Sequence, residues 1–387
     1  MKNKIKVLQV IPKLGYGGAE TGCYDLAHYL AEKNCKSFII TSGGELLKFV
    51  NKNKVKVFKL PVHSKNPILI AMNAILISLI IIFYNINIVH ARSRAPAWSC
   101  LIATKITGRK FVTTFHGTYN FSNRLKKFYN SAMVRSNLVI AGSNFIFSHI
   151  NNNYNNFFLK NNRKLLVIFR GINLSYFDPK KIVPSKIENF LRKNDVDRNK
   201  FIILLPGRLT AWKGQKIFIE ALKLLSSKES VQSFSGIILG GDQGRSVYKK
   251  QLVSLVQQHR LSKIIKFIDN CDEMPVAYRV ANLVCSCSIE PEAFGRVSVE
   301  AQAMEIPIIA SDIGGSIETI TKNKTGFLYQ SKDSNELADV IYGLMKKDYD
   351  SLKLIGSEGR KNAIKKFDVD KMCHTTHTEY KKLIGLI

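Results

Sequence analysis

No CxxC pair and no Cys/His spacing of the kind that holds zinc occurs in this sequence, although it contains seven cysteines. A structural zinc module is thereby excluded. The odd number of thiols, with Cys285 and Cys287 inside an apolar run that reads as buried strand, points to a reducing cytoplasm. Acidic side chains are scarce: 29 Asp and Glu face 58 Lys and Arg, a formal net charge of +29. Such a surplus attracts phosphate-rich surfaces, nucleotides and anionic lipid headgroups among them, and diffuse solvated surface accounts for it equally. Basic runs interleaved with aromatics are missing, so a nucleic-acid platform is excluded. No small-residue cleavage site follows the first short apolar run, Ile5 to Ile11, so no secretory signal is expected. With 45% hydrophobic and 22% charged residues, the composition excludes disorder and a polytopic membrane protein.

What is present alternates. Short β-branched runs at Val7 to Ile11, Phe38 to Thr41, Ile86 to His90, Phe111 to Phe115, Leu138 to Ala141 and Val167 to Phe169 are separated by helix-length stretches. A second series follows at Phe201 to Leu205, Gly236 to Leu239, Ile264 to Ile268, Leu283 to Ser286, Pro307 to Ala310 and Thr325 to Leu328. Strand and helix in turn mean parallel sheets with crossover helices. A length of 387 residues suits two domains. The expected architecture is α/β, with two Rossmann-like doubly wound parallel-sheet domains facing a central cleft. The first domain takes 1–175, a polar linker 176–200, the second domain 201–368, and a helix over 369–387 packs back towards the first domain.

One segment stands apart. Ile68 to Tyr84 carries no charge over seventeen residues, at the lower limit for spanning a bilayer. An unusually apolar crossover helix, a helix lying in a membrane surface and a true span are the three readings. Asn73 and Ser78 weaken the last, and a span here would cut the first sheet in two.

Candidate site residues cluster at predicted strand ends, where doubly wound sheets bind ligands. After the first strand come Gly15, Gly17 and Gly18, followed by a helix whose N-terminus favours anions. An ordinary tight turn explains them as well, and the G-x-G-x-x-G spacing of a dinucleotide site is absent. His116 ends a strand and is either a structural histidine or a side chain projecting into the site. Arg208, with Lys213 five positions on, follows the first strand of the second domain and suits a diphosphate, unless both are solvated loop cations. The most specific arrangement is Glu292 and Glu300 around a Phe294-Gly295 turn, after a buried strand and before a helix. The first amides of that helix, from Arg296, Val297 and Ser298, are placed to hold phosphate oxygens, and the two carboxylates to accept from sugar hydroxyls.

Together these residues resemble the retaining glycosyltransferases of the two-Rossmann GT-B fold, family 4. The resemblance covers nearly the whole chain through Gly17 to Glu20, Phe115-His116-Gly117, Gly207-Arg208 with Lys213, Gly240-Gly241-Asp242, Glu292 with Glu300, and Ser311 to Gly315. Ser64 to Pro67, His90 to Ser99 and Leu209 to Gln215 look like a narrower branch associated with lipopolysaccharide core assembly. The resemblance implies a nucleoside-diphosphate sugar, UDP-, GDP- or ADP-linked, as donor and no cofactor. Arg208 and Lys213 would bind its diphosphate, Glu300 its ribose and Glu292 its sugar. His116 would line the reaction centre, Gly17 and Gly18 would lie against phosphate or acceptor, and Arg92 and Arg94 either touch the acceptor or are solvated. A glycolipid or oligosaccharide acceptor and a peripheral position on the cytoplasmic face of the inner membrane follow from the narrower branch. One departure is Glu305, where relatives usually carry a helix-ending Gly.

No metal is implied. Asp-x-Asp pairs at Asp195/Asp197, Asp348/Asp350 and Asp368/Asp370 fall outside strand ends and read as solvated charges. Phosphate charge would instead fall to Arg208, Lys213 and the helix N-terminus. Three rivals remain: a nucleotide-sugar epimerase of the same fold, which needs no acceptor; a dinucleotide oxidoreductase, whose fingerprint is missing; and a non-catalytic anionic-membrane-binding protein, which leaves Glu292 and Glu300 unexplained.

Overall fold

Strands apolar on both faces are stable only between two layers of helix, and each intervening stretch is long enough for one crossover. The computed structural model describes residues 4–156, 163–230, 233–269, 271 and 273–387. They form two units, Met1–Gly171 with Val369–Ile387, and Ile172–Asp368.

The first unit holds β1 (Lys6–Val10), β2 (Lys36–Thr41), β3 (Val55–Lys59), β4 (Ile88–Ala91), β5 (Lys110–Phe115), β6 (Leu138–Ala141) and β7 (Lys164–Val167), in spatial order β3-β2-β1-β4-β5-β6-β7. The second holds β8 (Phe201–Pro206), β9 (Phe234–Leu239), β10 (Ile265–Ile268), β11 (Leu283–Ser286), β12 (Ile308–Ser311) and β13 (Phe327–Tyr329), in order β10-β9-β8-β11-β12-β13. Every ladder is parallel. Each order reverses once, between β1 and β4 and between β8 and β11, so both units are doubly wound α/β sheets with their ligand-binding switch points at those strand ends.

Strand β3 is not among the expected runs. Its sequence, VKVFK, breaks the apolar run with two lysines, because it is an edge strand with one side open, and its lysines blunt that edge. Strand β7 lies at Lys164–Val167, earlier than the expected Val167 to Phe169. The polar segment 176–200 is also more structured than a linker. It carries a helix, Pro184–Lys193, started by proline and packed on the helix Met274–Val280, and it belongs to the second unit. The helix Val369–Leu383 joins the first unit, where it packs on the helix Gly18–Glu32 and buries Tyr380.

Glu305 adopts the left-handed conformation that glycine favours, with φ +61°, so the helix Arg296–Ala303 ends there without it. Its carbonyl seats Gly356, where a Cβ would lie 2.0 Å from that oxygen. Arg360 Nε stands 3.6 Å from its carboxylate.

The apolar segment is a helix, Pro67–Tyr84, with Asn66 accepting from the first amides and left-handed Asn85 closing its end. Asn73, Ala74, Ile77, Ser78 and Ile81 are buried against the unit. Asn73 Nδ2 donates to Pro61 O, and Ser78 Oγ to Ala74 O, which explains two polar residues in so apolar a helix.

Candidate functional site

In the second unit β8 delivers Pro206-Gly207-Arg208 to the switch point, and β11 delivers the loop from Cys287 to Gly295. Between Arg208 and the helix Gln215–Lys228 the chain turns at Gly214, with φ +73° and a virtual Cβ only 1.7 Å from Cys287 O, so no side chain fits. This contact holds the Lys213 turn against the β11 loop; Ile289 N–H donates to Trp212 O at 2.8 Å. On the other side, Gly314 and Gly315 let a second loop meet the first backbone to backbone. Gly315 N–H donates to Glu292 O at 2.7 Å, and Glu292 bridges Gly314. The glycines of Ser311 to Gly315 therefore clamp the backbone of Glu292.

Clamped there, Glu292 Oε1 lies 2.7 Å from Lys213 Nζ, with side chains 10% and 14% exposed. Ser288 Oγ donates to the same oxygen. Burial pushes the Glu292 acid up, but the charge and hydrogen bond of Lys213, the Ser288 hydroxyl and the charge of Arg208 outweigh it and hold the group below its ordinary value. Arg208 itself is exposed at the strand end. Eight residues on, Glu300 is buried, accepting from Tyr278 Oη at 2.7 Å on one oxygen and from Arg296 Nε on the other. Gly295 caps this helix. Of the three amides expected to face phosphate, that of Ser298 donates instead to Gly295 O at 3.1 Å within the first turn. The Ser298 hydroxyl is buried without a hydrogen-bond partner.

In the first unit, His116 follows β5, and both its ring nitrogens are buried without a hydrogen-bond partner. Burial first, then the charges of Arg170, Arg92 and His90, hold its pKa well below the ordinary value, so the imidazole is neutral. Arg92 is not solvated. It is 5% exposed and donates to Gln9 Oε1, while Gln9 Nε2 donates to Cys23 O. Arg94 is half-buried, donating to Asn130 Oδ1 and lying 4.5 Å from the Tyr119 ring. At Gly18 a Cβ would lie 2.4 Å from Arg170 Nη2, so the glycine makes room for a guanidinium of this chain, and at Gly17 it would meet Glu20. Beneath this layer His90 bridges Tyr380 Oη and Thr114 Oγ1 at 2.5 and 2.7 Å.

Two of the Asp-x-Asp residues have partners within the second unit. Asp195 pairs with Lys266, and Asp348 caps the helix Tyr349–Lys366. Among the described residues no three His, Cys, Asp or Glu side chains form a metal-sized cluster.

Two family models match the chain, Glycosyl transferases group 1 over residues 186–362 and Glycosyltransferase Family 4 over residues 16–176. The crystal structure of a glycosyltransferase from Rickettsia africae ESF-5 is 38% identical, covers 99% of each chain and superposes with a TM-score of 0.89. The chain belongs to the glycosyltransferases. HepE of Anabaena, solved in complex with UDP and glucose, shares the fold of this glycosyltransferase at 23% identity, with a TM-score of 0.82 over 97% of this chain and 99% of that one. The D-inositol 3-phosphate glycosyltransferase of Corynebacterium efficiens is 25% identical over 49% of this chain and 45% of its own. The glycosyltransferase thus spans about half the length of the curated relatives it matches.

Three partners of the expected site residues in this glycosyltransferase were not legible as such. Arg170 carried a signal, an Arg directly beyond a strand run. Tyr278 and Ser288 carried none, since hydroxyls at those positions are ordinary in sequence and acquire meaning only through Glu300 and Glu292.

Proposed function

We propose that this chain transfers a sugar from a nucleoside-diphosphate sugar to a glycolipid or oligosaccharide acceptor of the lipopolysaccharide-core type, with retention and without a metal. The observation that carries the reading is the Lys213–Glu292 pair at the β8/β11 switch point, beside a helix that starts at Gly295. In this reading Glu292 accepts from hydroxyls of the transferred sugar and Glu300 from the ribose. Arg208, Lys213 and the amides of Arg296 and Val297 meet the diphosphate, whose leaving oxygen gains charge as the glycosidic bond breaks. The first unit takes the acceptor, with neutral His116 able to accept a proton or a hydrogen bond. Seven free cysteines, six of them buried, suit a reducing cytoplasm, and a lipid-linked acceptor places the work at a membrane face.

A second acceptor chemistry has its own support. Arg92 and Arg170 next to His116 suit a phosphorylated polyol, the acceptor named for the Corynebacterium relatives.

A thermal-shift screen of UDP-, GDP- and ADP-sugars tests the donor, because a ligand bound to the native state raises the melting temperature by mass action. One nucleotide series stabilises the wild type and leaves Glu300→Ala unshifted. Equal shifts for both proteins refute the site. Donor alone, followed by product analysis, separates an epimerase.

A further inference from the structure

The helix Pro67–Tyr84 has no polar face. Its outward residues Ile68, Met72, Ile75, Leu79, Ile82 and Phe83 recur at helical spacing as one stripe and are exposed, Ile75 by 60%, Leu79 by 57% and Phe83 by 81%. The helix Arg94–Thr107 packs beside it and adds exposed Ile102 and Ile106. On that second helix Trp98 stands one turn before Ile102, and its ring lies 5.1 Å from Phe128, itself exposed on the helix Arg124–Asn130 next to Leu125. An apolar surface carried on three helices is more than a monomer in water ordinarily shows.

The charge around it is one-sided. No Asp or Glu occurs between Glu45 and Asp178, a stretch that carries nineteen Lys and Arg. Most of the surplus thus lies in the part of the chain, 46–177, from which these three helices come. Lys56 Nζ sits 4.6 Å over the Tyr84 ring and Lys6 Nζ donates to Tyr84 O at the helix end; Lys65 precedes its start, and Lys105, Arg124 and Lys126 are exposed on the neighbouring helices.

We infer that this face docks on an anionic lipid bilayer, with the helix Pro67–Tyr84 lying in the interface plane and not across it. Apolar residues enter the boundary of the acyl chains while Lys and Arg at the rim meet lipid phosphates. A second copy of the chain fits poorly, because a two-fold contact would set two acid-free basic rims against each other. Spanning is excluded by the anchoring of the helix: five of its residues are packed into the unit, and three residues separate its end from β4. At 18 residues the helix is about 27 Å long, enough for several turns to share one plane. The inference deepens the membrane-face part of the proposed function, but it stands on exposure and charge and needs nothing from the donor site.

Flotation of the whole protein with phosphatidylcholine vesicles, with and without phosphatidylglycerol, tests it. The wild type floats only when phosphatidylglycerol is present and dissociates in high salt. Ile75→Glu with Leu79→Glu remains in the soluble fraction, and Lys105→Glu with Lys126→Glu partitions at least about tenfold less. All keep the donor-induced thermal shift, so loss of lipid binding is distinguishable from failure of the donor reading. If the double apolar variant does not accumulate, Leu79→Gln carries the test. Wild type that stays soluble with anionic vesicles, wild type that floats equally with neutral ones, or a dimer by light scattering that Leu79→Gln dissociates, overturns the inference.

Discussion

Lys213 Nζ lies 2.7 Å from Glu292 Oε1, with both side chains largely withdrawn from solvent, so neither charge is balanced by water alone. Removing one partner strands the other. Glu292→Gln is expected to destabilise the protein by on the order of 3 kcal/mol and to lower kcat at least about a hundredfold, as loss of a preorganised charge does. Lys213→Met with Glu292→Leu should recover much of the stability and none of the turnover. Urea melts alongside initial rates read both, and turnover restored in the double variant would separate the pair from catalysis.

The same pair predicts an acid limb. The Glu292 carboxyl is held below its ordinary value near 4.5, so its contribution is present above that pH and is lost as pH falls through the lower folded value. Neutral His116 acts earlier: its folded pKa lies below 6.5, the unfolded chain takes up the proton first, and stability declines as pH falls below about 6.5. His116→Gln should flatten the melting-temperature slope between about pH 6.5 and 5. A slope unchanged in the variant would mean that other groups set it.

Gly214 and Gly343 make a contrast. Gly214→Ala forces a Cβ onto Cys287 O at a positive φ and should abolish activity together with fold stability. Gly343→Ala, in the helix Ser334–Met345 with open space around it, should stabilise by about 1 kcal/mol. Calorimetry on the two variants checks both signs.

Tyr278→Phe removes the hydroxyl that donates to Glu300 and keeps the ring packed against Phe177. KM for the nucleotide sugar should rise by roughly fivefold with kcat little changed, in line with about 1 kcal/mol for one hydrogen bond. A fall in kcat at constant KM would place Tyr278 at the reacting bond.

Chelation tests the charge assignment. If Arg208, Lys213 and the helix N-terminus meet the diphosphate as proposed, turnover should be unaffected by EDTA. A rate restored only by Mg2+ or Mn2+ would show that these groups do not suffice.

Much of the fold was legible because buried parallel strands announce themselves as apolar runs, and the placement of Arg208, Lys213 and Glu292 beyond strand ends and of Glu300 in the following helix was legible for the same reason. Strand β3 escaped, since two lysines break its apolar run and an edge strand so interrupted resembles a polar loop. Sequence places Arg92 after β4 and does not separate an acceptor contact from solvated surface; the fold removes the second reading, because Gln9, buried in β1, is turned to receive it. The segment 176–200 read as linker because its prolines and charges outweighed a helix of ten residues, although Ile187, Phe190 and Leu191, at i, i+3 and i+4, mark that helix's packed face.

Ile172 N–H donates to Phe367 O at 2.9 Å, and Ile172 bridges Asp368. The second unit thus enters and leaves through neighbouring residues, like a guest domain spliced into a host whose own last piece is the helix Val369–Leu383. A fragment of 172–368 carries a whole sheet and its own tied ends. A fragment stopping at 368 would strip Tyr380 from the first sheet and leave His90 facing an empty groove.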